Sequence, residues 1–170
     1  MNEDIIFNKK KFKAIIHYII NKCGLNHNVG RTVIYKLLYF SDFDFYELYE
    51  RSISGEKYIR KPNGPVPKHF HESKNELINE GKIKEDKELI LDYYKYKYSS
   101  LSTPDISSLS SEELNVIDDT LNKISHMHSG NISEYSHGDL PWRIAEPEEE
   151  LDYEYVFYRD PEYSVRDYDE

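Results

Sequence analysis

Few residues in this chain carry chemistry. Cys23 is the single thiol, and it ends an apolar helical stripe instead of standing beside a base and an orienting group, so a small core residue fits it better than a nucleophile. Histidines fall in ligand-like pairs: His69 with His71, His126 with His128, and His137 with Asp139. On a helix a spacing of two sends side chains to different faces, which separates His69 from His71. In a loop the same spacing is harmless, so His126, His128 and His137 stay open as ligands; capping and hydrogen bonding are the commoner roles, and no cysteine joins them. Tyr93 to Tyr98 interleaves tyrosine with Lys95 and Lys97, a face on which single-stranded bases could stack. Two lysines are a small phosphate footprint, however, and packing against a helix is the commoner cause of such a strand. No phosphate-cradling glycine loop, G-x-S-x-G elbow or H-E-x-x-H pair occurs. The residues supply no catalytic set, no assigned metal ligands and no cofactor site, and the expectation is a non-enzyme that works by binding.

The elements that must hold these residues read as α+β and mainly helical: five or six helices with a small antiparallel sheet of short strands. Phe12, Ile15, Ile16, Ile19 and Ile20 lie on one face of a first helix, with Asn8 as its N-cap and Gly24 as a left-handed C-cap over which Leu25 packs back. A second helix begins after Asn28 or Gly30, passes Val33, Ile34, Leu37, Leu38 and Phe40, and reaches about Tyr49; apolar on more than one face, it reads as the central helix. Glu56 to Arg60 reads as a short strand. Residues 61 to 67 hold three prolines and read as a rigid loop, with Pro67 opening a third helix that runs to about Glu80. Residues 82 to 98 have strand character, with a turn expected at Asp86-Lys87. Ser110 and Glu113 form a capping box for a fourth helix through Leu114, Ile117, Leu121 and Ile124, and Asn131 with Glu134 caps a short fifth one that Gly138 stops.

The 170 residues suit one domain. A lone cysteine makes no internal disulfide, the first thirty residues lack a secretory pattern, and no apolar run approaches the roughly 20 residues that span a bilayer. The cytoplasm is the expected location. Of the net charge of −10, residues 146 to 170 carry −9 (eleven acids against two arginines), which leaves −1 for the first 145. The expected division is a domain over 1–158 and an acidic, Tyr-rich tail over 159–170. Neither part has the basic stripe that phosphate neutralisation needs, which argues against nucleic acid. Sixteen tyrosines exceed what one core buries and suit an interface, although an AT-rich coding bias explains part of the excess.

Four separate motifs then stand out in order: Lys36-Leu37-Leu38-Tyr39-Phe40-Ser41-Asp42, Ile53-Ser54-Gly55-Glu56-Lys57-Tyr58, Gly64-Pro65-Val66-Pro67, and Ser136-His137-Gly138-Asp139-Leu140-Pro141-Trp142. Together they resemble the Panacea domain, the SocA-like antitoxin family also met as phage-associated proteins, over most of residues 10 to 158. The resemblance implies a helical domain with a small sheet that neutralises a cognate protein toxin, encoded by the adjacent gene, through direct contact. The alternative it implies is a proteolytic adaptor that delivers the toxin to an AAA+ protease; a nucleic-acid- or metal-handling enzyme is the third class. The matching positions, and so the candidate partner-binding residues, are Lys36, Tyr39, Asp42, Tyr58, Gly64, Pro65, Pro67, His137 and Trp142. Gly64 and the prolines are expected to set a loop, and Trp142 to lock the tail onto the body.

Three structural expectations follow. Asp42, among aromatic neighbours, must be satisfied by Lys36, His137 or a backbone N–H of the proline segment. Residues 63 to 67 form an ordered connection from a strand to a helix start. Residues 151 to 158 pack as a short helix on Leu151, Tyr155 and Tyr158 near Asp42 and His137 with acids outward, while 163 to 170 form a solvated brush.

Overall fold

The computed structural model describes residues 5–169. The first apolar stripe forms α1 (Lys9–Cys23), and the Asn8 side chain caps it by accepting from the Lys11 N–H at 3.0 Å. Gly24 ends α1 in the right-handed region (φ −58°), not the left-handed one, and Leu25 is 82% exposed instead of packing back. Glycine is required there by close approach: a Cβ at Gly24 would stand 2.6 Å from the carbonyl oxygens of Ile20 and Tyr98.

The second helix, α2 (Arg31–Tyr49), is buried continuously from Val33 to Glu47. It has no solvent face because α1, both hairpins and the later helices pack around it. The proline segment is a strand and not a loop: β1 (Tyr58–Lys61) pairs antiparallel with β2 (Gly64–Pro67), setting Tyr58 opposite Pro67 and Arg60 opposite Pro65. Its register explains why prolines fit. Tyr58 and Arg60 turn their backbone groups away from β2, toward residues 148–151, where Arg60 N–H donates to Glu149 O at 2.9 Å and Leu151 N–H donates to Tyr58 O at 2.8 Å. Pro65 and Pro67 face positions that need no ladder N–H from them. The third helix, α3 (Phe70–Asn79), accordingly starts three residues later than the proline rule suggested, with Phe70 and Leu77 buried.

The Tyr-Lys stretch is half of a long hairpin, β3 (Ile83–Ile90) with β4 (Tyr93–Ser100), and it turns at Leu91-Asp92. Asp86 and Lys87 lie inside β3, opposite Lys97 and Tyr96. A side-chain knot fixes this register: Glu85 accepts from Tyr98 Oη at 2.6 Å, Lys74 Nζ at 2.7 Å and Arg31 at 3.0 Å. Lys95 and Lys97 donate to the carbonyls of His27, Asn26 and Val29, so the lysines hold the hairpin to the α1–α2 connection.

The capping box forms as expected at α4 (Ser111–Ile124), where Ser110 and Glu113 satisfy each other's N–H. The next helix, α5 (Ser129–His137), takes His128 as its N-cap, three residues before Asn131, and ends at Gly138. Asp139 caps a single-turn helix, α6 (Leu140–Ile144), and a 3-10 helix covers Tyr153–Tyr158. The fold is α+β and mainly helical, 47% helix, with two separate two-stranded antiparallel sheets in place of one. Among the described residues no helix is long and apolar enough to cross a membrane.

Gly64 joins three of these elements. With φ +113°, it lies so close to its neighbours that a Cβ would stand 2.3 Å from Ser136 Oγ and 2.4 Å from Lys36 Cε. Gly64→Ala is therefore expected to cost about 2–5 kcal/mol, from backbone strain plus overpacking. Urea denaturation checks this, and a loss below about 0.5 kcal/mol contradicts the packing described.

Candidate functional site

The four motifs are far apart in sequence and meet around α2. Asp42 is fully enclosed, and its partners are Ser54 Oγ (2.6 Å), Tyr58 Oη (2.7 Å), Ser54 N–H (2.9 Å) and Ser52 Oγ (3.2 Å). The expectation of an internally satisfied carboxylate holds, but neither Lys36, His137 nor the proline segment supplies the bond; the second motif does. Burial pushes the Asp42 carboxyl up, and these donors pull it back. Tyr39 donates to Asp139 Oδ2 at 2.8 Å, which ties α2 to the fourth motif.

Lys36 reaches β2, where its ammonium donates to Pro65 O at 3.2 Å. Among the described residues it has no carboxylate partner, and desolvation lowers its pKa to about 7. Trp142 donates from its indole N–H to Lys61 O at 3.1 Å, stacks on His137 at 4.3 Å, and receives the Arg60 guanidinium 3.9 Å from its ring centre. Arg60 also donates to the carbonyls of Trp142, Arg143 and Ala145, so Trp142 locks α6 onto the hairpin.

Of the nine candidate positions, Lys36, Tyr39, Asp42, Tyr58, Gly64, Pro65 and Pro67 are buried. His137 and Trp142 are partly exposed. The buried seven support the surface from beneath and do not reach it. Beside them opens a shallow cleft lined by Thr32, Asn63, Ser133, Glu134 and His137, where α5 meets the hairpin turn. His137 Nε2 is buried there and has no hydrogen-bond partner among the described residues.

The remaining chemical candidates are placed elsewhere. Cys23 donates to Ile19 O at 3.3 Å inside the core, and burial raises its thiol to about 11. His69 pairs with Glu56 at 2.6 Å and stacks on Phe7 at 4.2 Å. Among the described residues no group of three or more His, Cys, Asp or Glu is arranged to hold a metal.

A second cluster escaped the sequence reading. Arg159, whose side chain is fully buried, forms a two-pronged bond with Asp139 (2.7 and 2.9 Å) and reaches Asp44 at 2.8 Å and Glu47 at 3.0 Å. Glu47 also accepts from Ser164 Oγ (2.5 Å), Tyr168 Oη (2.9 Å) and Val165 N–H (3.0 Å). Tyr163 donates to Tyr135 O at 2.9 Å and lies so close to Gly138 that a Cβ there would stand 2.0 Å from its hydroxyl. The brush was expected over residues 163 to 170, of which Glu170 lies outside the described residues; Ser164, Val165 and Tyr168 are instead tied to the buried Glu47, and Tyr163 to the Tyr135 carbonyl. The 3-10 segment packs near Asp42, since Tyr153 shares Ser52 with it; of the three residues expected inward Leu151 is buried, Tyr155 is half-buried and Tyr158 is 72% exposed, while Tyr153 and Val156 complete the buried set. A period of three replaced the period of the α-helix, and it places Arg159 on the buried face. The available signal was an arginine three residues beyond Val156 in a stretch otherwise acidic.

Removing Arg159 would leave three carboxylates buried without their cation. Arg159→Leu is expected to destabilise by about 3–5 kcal/mol, the usual cost of breaking a buried ion pair from one side. A melting temperature within a degree of the parent would show that the tail is not held this way. Asp44 yields a second expectation, because burial, with Asp139 nearby, raises its pKa to about 6 although Arg159 opposes the shift. A carboxyl raised above its unfolded value contributes stability that is full below about pH 4 and lost as pH rises through about 6. Asp44→Asn keeps an acceptor for Arg159 and removes this dependence. Its melting temperature should fall less than that of the parent between pH 4 and pH 7; parallel profiles would contradict the assignment.

The span that holds the four motifs also matches a known family. The model of the antitoxin SocA-like, Panacea domain matches residues 34–143, from the start of the α2 core to α6. No curated protein and no solved structure matches the chain. The match covers well over half of the chain and includes all nine candidate positions, so the chain belongs to the SocA-like antitoxin family, with its Panacea domain built around α2.

Proposed function

We propose that this chain is the antitoxin of a toxin-antitoxin pair and neutralises a cognate protein toxin, encoded by the adjacent gene, by direct binding in the cytoplasm. The family match over residues 34–143 carries this reading. The contact surface proposed is the cleft between α5 and the turn of the proline hairpin, with His137 and Trp142 at its edge. Three features support that choice. Lys36, Gly64, Pro65 and Ser136 pack against one another where β2 meets α5 beside it, so its shape is fixed before a partner arrives, and a preformed surface loses little entropy on binding. His137 lines this cleft and is partly exposed. Trp142 and Arg60 form a rigid aromatic and cationic edge of the type that anchors interfaces. The buried motif residues act here as supports.

The test is co-expression. The neighbouring gene product should arrest growth alone and be rescued by this chain, and the two should co-purify. A double variant of exposed cleft residues, Asn63→Arg with Glu134→Arg, should melt like the parent and lose both rescue and co-purification. Rescue that survives in this variant would move the interface elsewhere. Rescue that disappears in cells lacking AAA+ proteases, with toxin no longer degraded, would select the adaptor mechanism over direct inhibition.

A further inference from the structure

A small cleft where α2, α4 and α5 meet the docked tail lies apart from the surface proposed for the toxin. Its walls are the rings of Phe40, Tyr135 and Tyr163, with Asp44 and Thr120 as polar groups and Lys123 also lining it. Tyr135 stands 5.4 Å from Phe40 and 4.8 Å from Tyr163, ring centre to ring centre. The space leaves about 10 Å³ for the centre of a water-sized group, enough for a single head group.

Two polar atoms here have unmet capacity. Thr120 is 3% exposed, and its Oγ1 has no hydrogen-bond partner among the described residues. Asp44 uses Oδ1 to accept from Arg159, while among the described residues its Oδ2 accepts nothing. The surrounding charge is unbalanced in one direction. Asp44, Glu47 and Asp139 share Arg159 as their buried cation, which leaves a formal excess of two negative charges beneath the cleft. Lys123 lines the cleft and its charge favours the ionised Asp44 carboxylate, but its side chain is exposed and makes no ion pair with Asp44 within 4.0 Å, so it meets the excess only through solvent-screened attraction.

We propose that this cleft receives the ε-ammonium of a lysine side chain from a bound protein partner. The chemistry matches each wall. An ammonium has three donors and no acceptor, so it can satisfy Asp44 Oδ2 and Thr120 Oγ1 together. The aromatic walls of Phe40, Tyr135 and Tyr163 keep the site poor in water, which strengthens the attraction between a cation and the carboxylate. The head is the size of a water molecule, which fits the space, whereas the planar guanidinium of arginine is larger. A bound water could satisfy the two oxygens but would leave the charge excess unanswered.

The experiment titrates the full-length protein with Nα-acetyl-lysine N-methylamide and follows the Thr120 and Ile124 methyl resonances. Nα-acetyl-norleucine N-methylamide, with the same stem and no ammonium, is the control. Saturable shifts are expected with the lysine probe at about millimolar affinity, a strength small ligands of this size reach, and not with the control. Asp44→Asn should weaken the lysine probe at least tenfold and Thr120→Val severalfold. Lys123→Ala should tighten it by removing a repelling charge. Equal binding of the norleucine control would make the cleft an apolar site. Undiminished binding in both Asp44→Asn and Thr120→Val, weaker binding in Lys123→Ala, or no shift at these methyls would each overturn the proposal. So would binding of n-butylammonium without binding of the lysine probe, which would point to a free amine instead of a side chain.

Discussion

The structure depends on one constraint: α2 is buried without a break from Val33 to Glu47 yet carries Lys36, Tyr39, Asp42, Asp44 and Glu47 on the enclosed surface. Each of these groups must find a partner inside, because an ionised side chain left without one costs several kcal/mol. None finds it on α2 itself. Asp42 is met by residues 52–58, Lys36 by Pro65, Tyr39 by Asp139, Asp44 by Arg159, and Glu47 by Arg159 and residues 164–168. The hydrophobic term drives these segments together, but it is indifferent to which residue lands where. The polar obligations of α2 are what assign each later segment to its place, and a charged hydrogen bond is worth roughly twice a neutral one in that role.

This arrangement explains why the four motifs form a recognisable set although most of their residues are hidden. Gly64 is a glycine because β2 passes within contact of Lys36 and Ser136, and Gly138 is one because Tyr163 lies on it. Pro65 and Pro67 are tolerated because their partners Arg60 and Tyr58 turn outward to residues 148–151. Such residues describe a scaffold. Exposed side chains over it, among them Asn63 and Glu134, bear none of these obligations and are free to differ without loss of the fold.

Local rules read the helices well and the hairpins poorly, for physical reasons. Asn8 and the Ser110–Glu113 box act within four residues of themselves, so their meaning is present in the sequence. The Asp86-Lys87 pair looks like a turn by composition, but the register of that hairpin is set by Glu85 meeting Tyr98, Lys74 and Arg31, three residues that no local window contains together. Prolines at 65 and 67 forbid a strand only if an N–H is needed there, and whether one is needed was decided by the segment at 148–151. The nine candidate site positions were legible as a set through their motifs. Their burial was not, because motif spacing carries no information about which side of a surface a residue occupies.

The tail shows where composition misleads most. Eleven acids against two arginines suggest a segment that repels a body already slightly negative. It docks nonetheless, since what enters the interior is not its average. Arg159 supplies the cation that Asp44, Glu47 and Asp139 lack, and Ser164, Val165 and Tyr168 bring only neutral donors to Glu47. The acids of the tail stay largely in water, where screening makes their mutual repulsion weak beyond about 10 Å at ordinary salt. Desolvated, one guanidinium at the centre of three carboxylates outweighs many charges at the surface. A segment's net charge therefore describes how it meets solvent, while its attachment is decided by the few side chains that leave it.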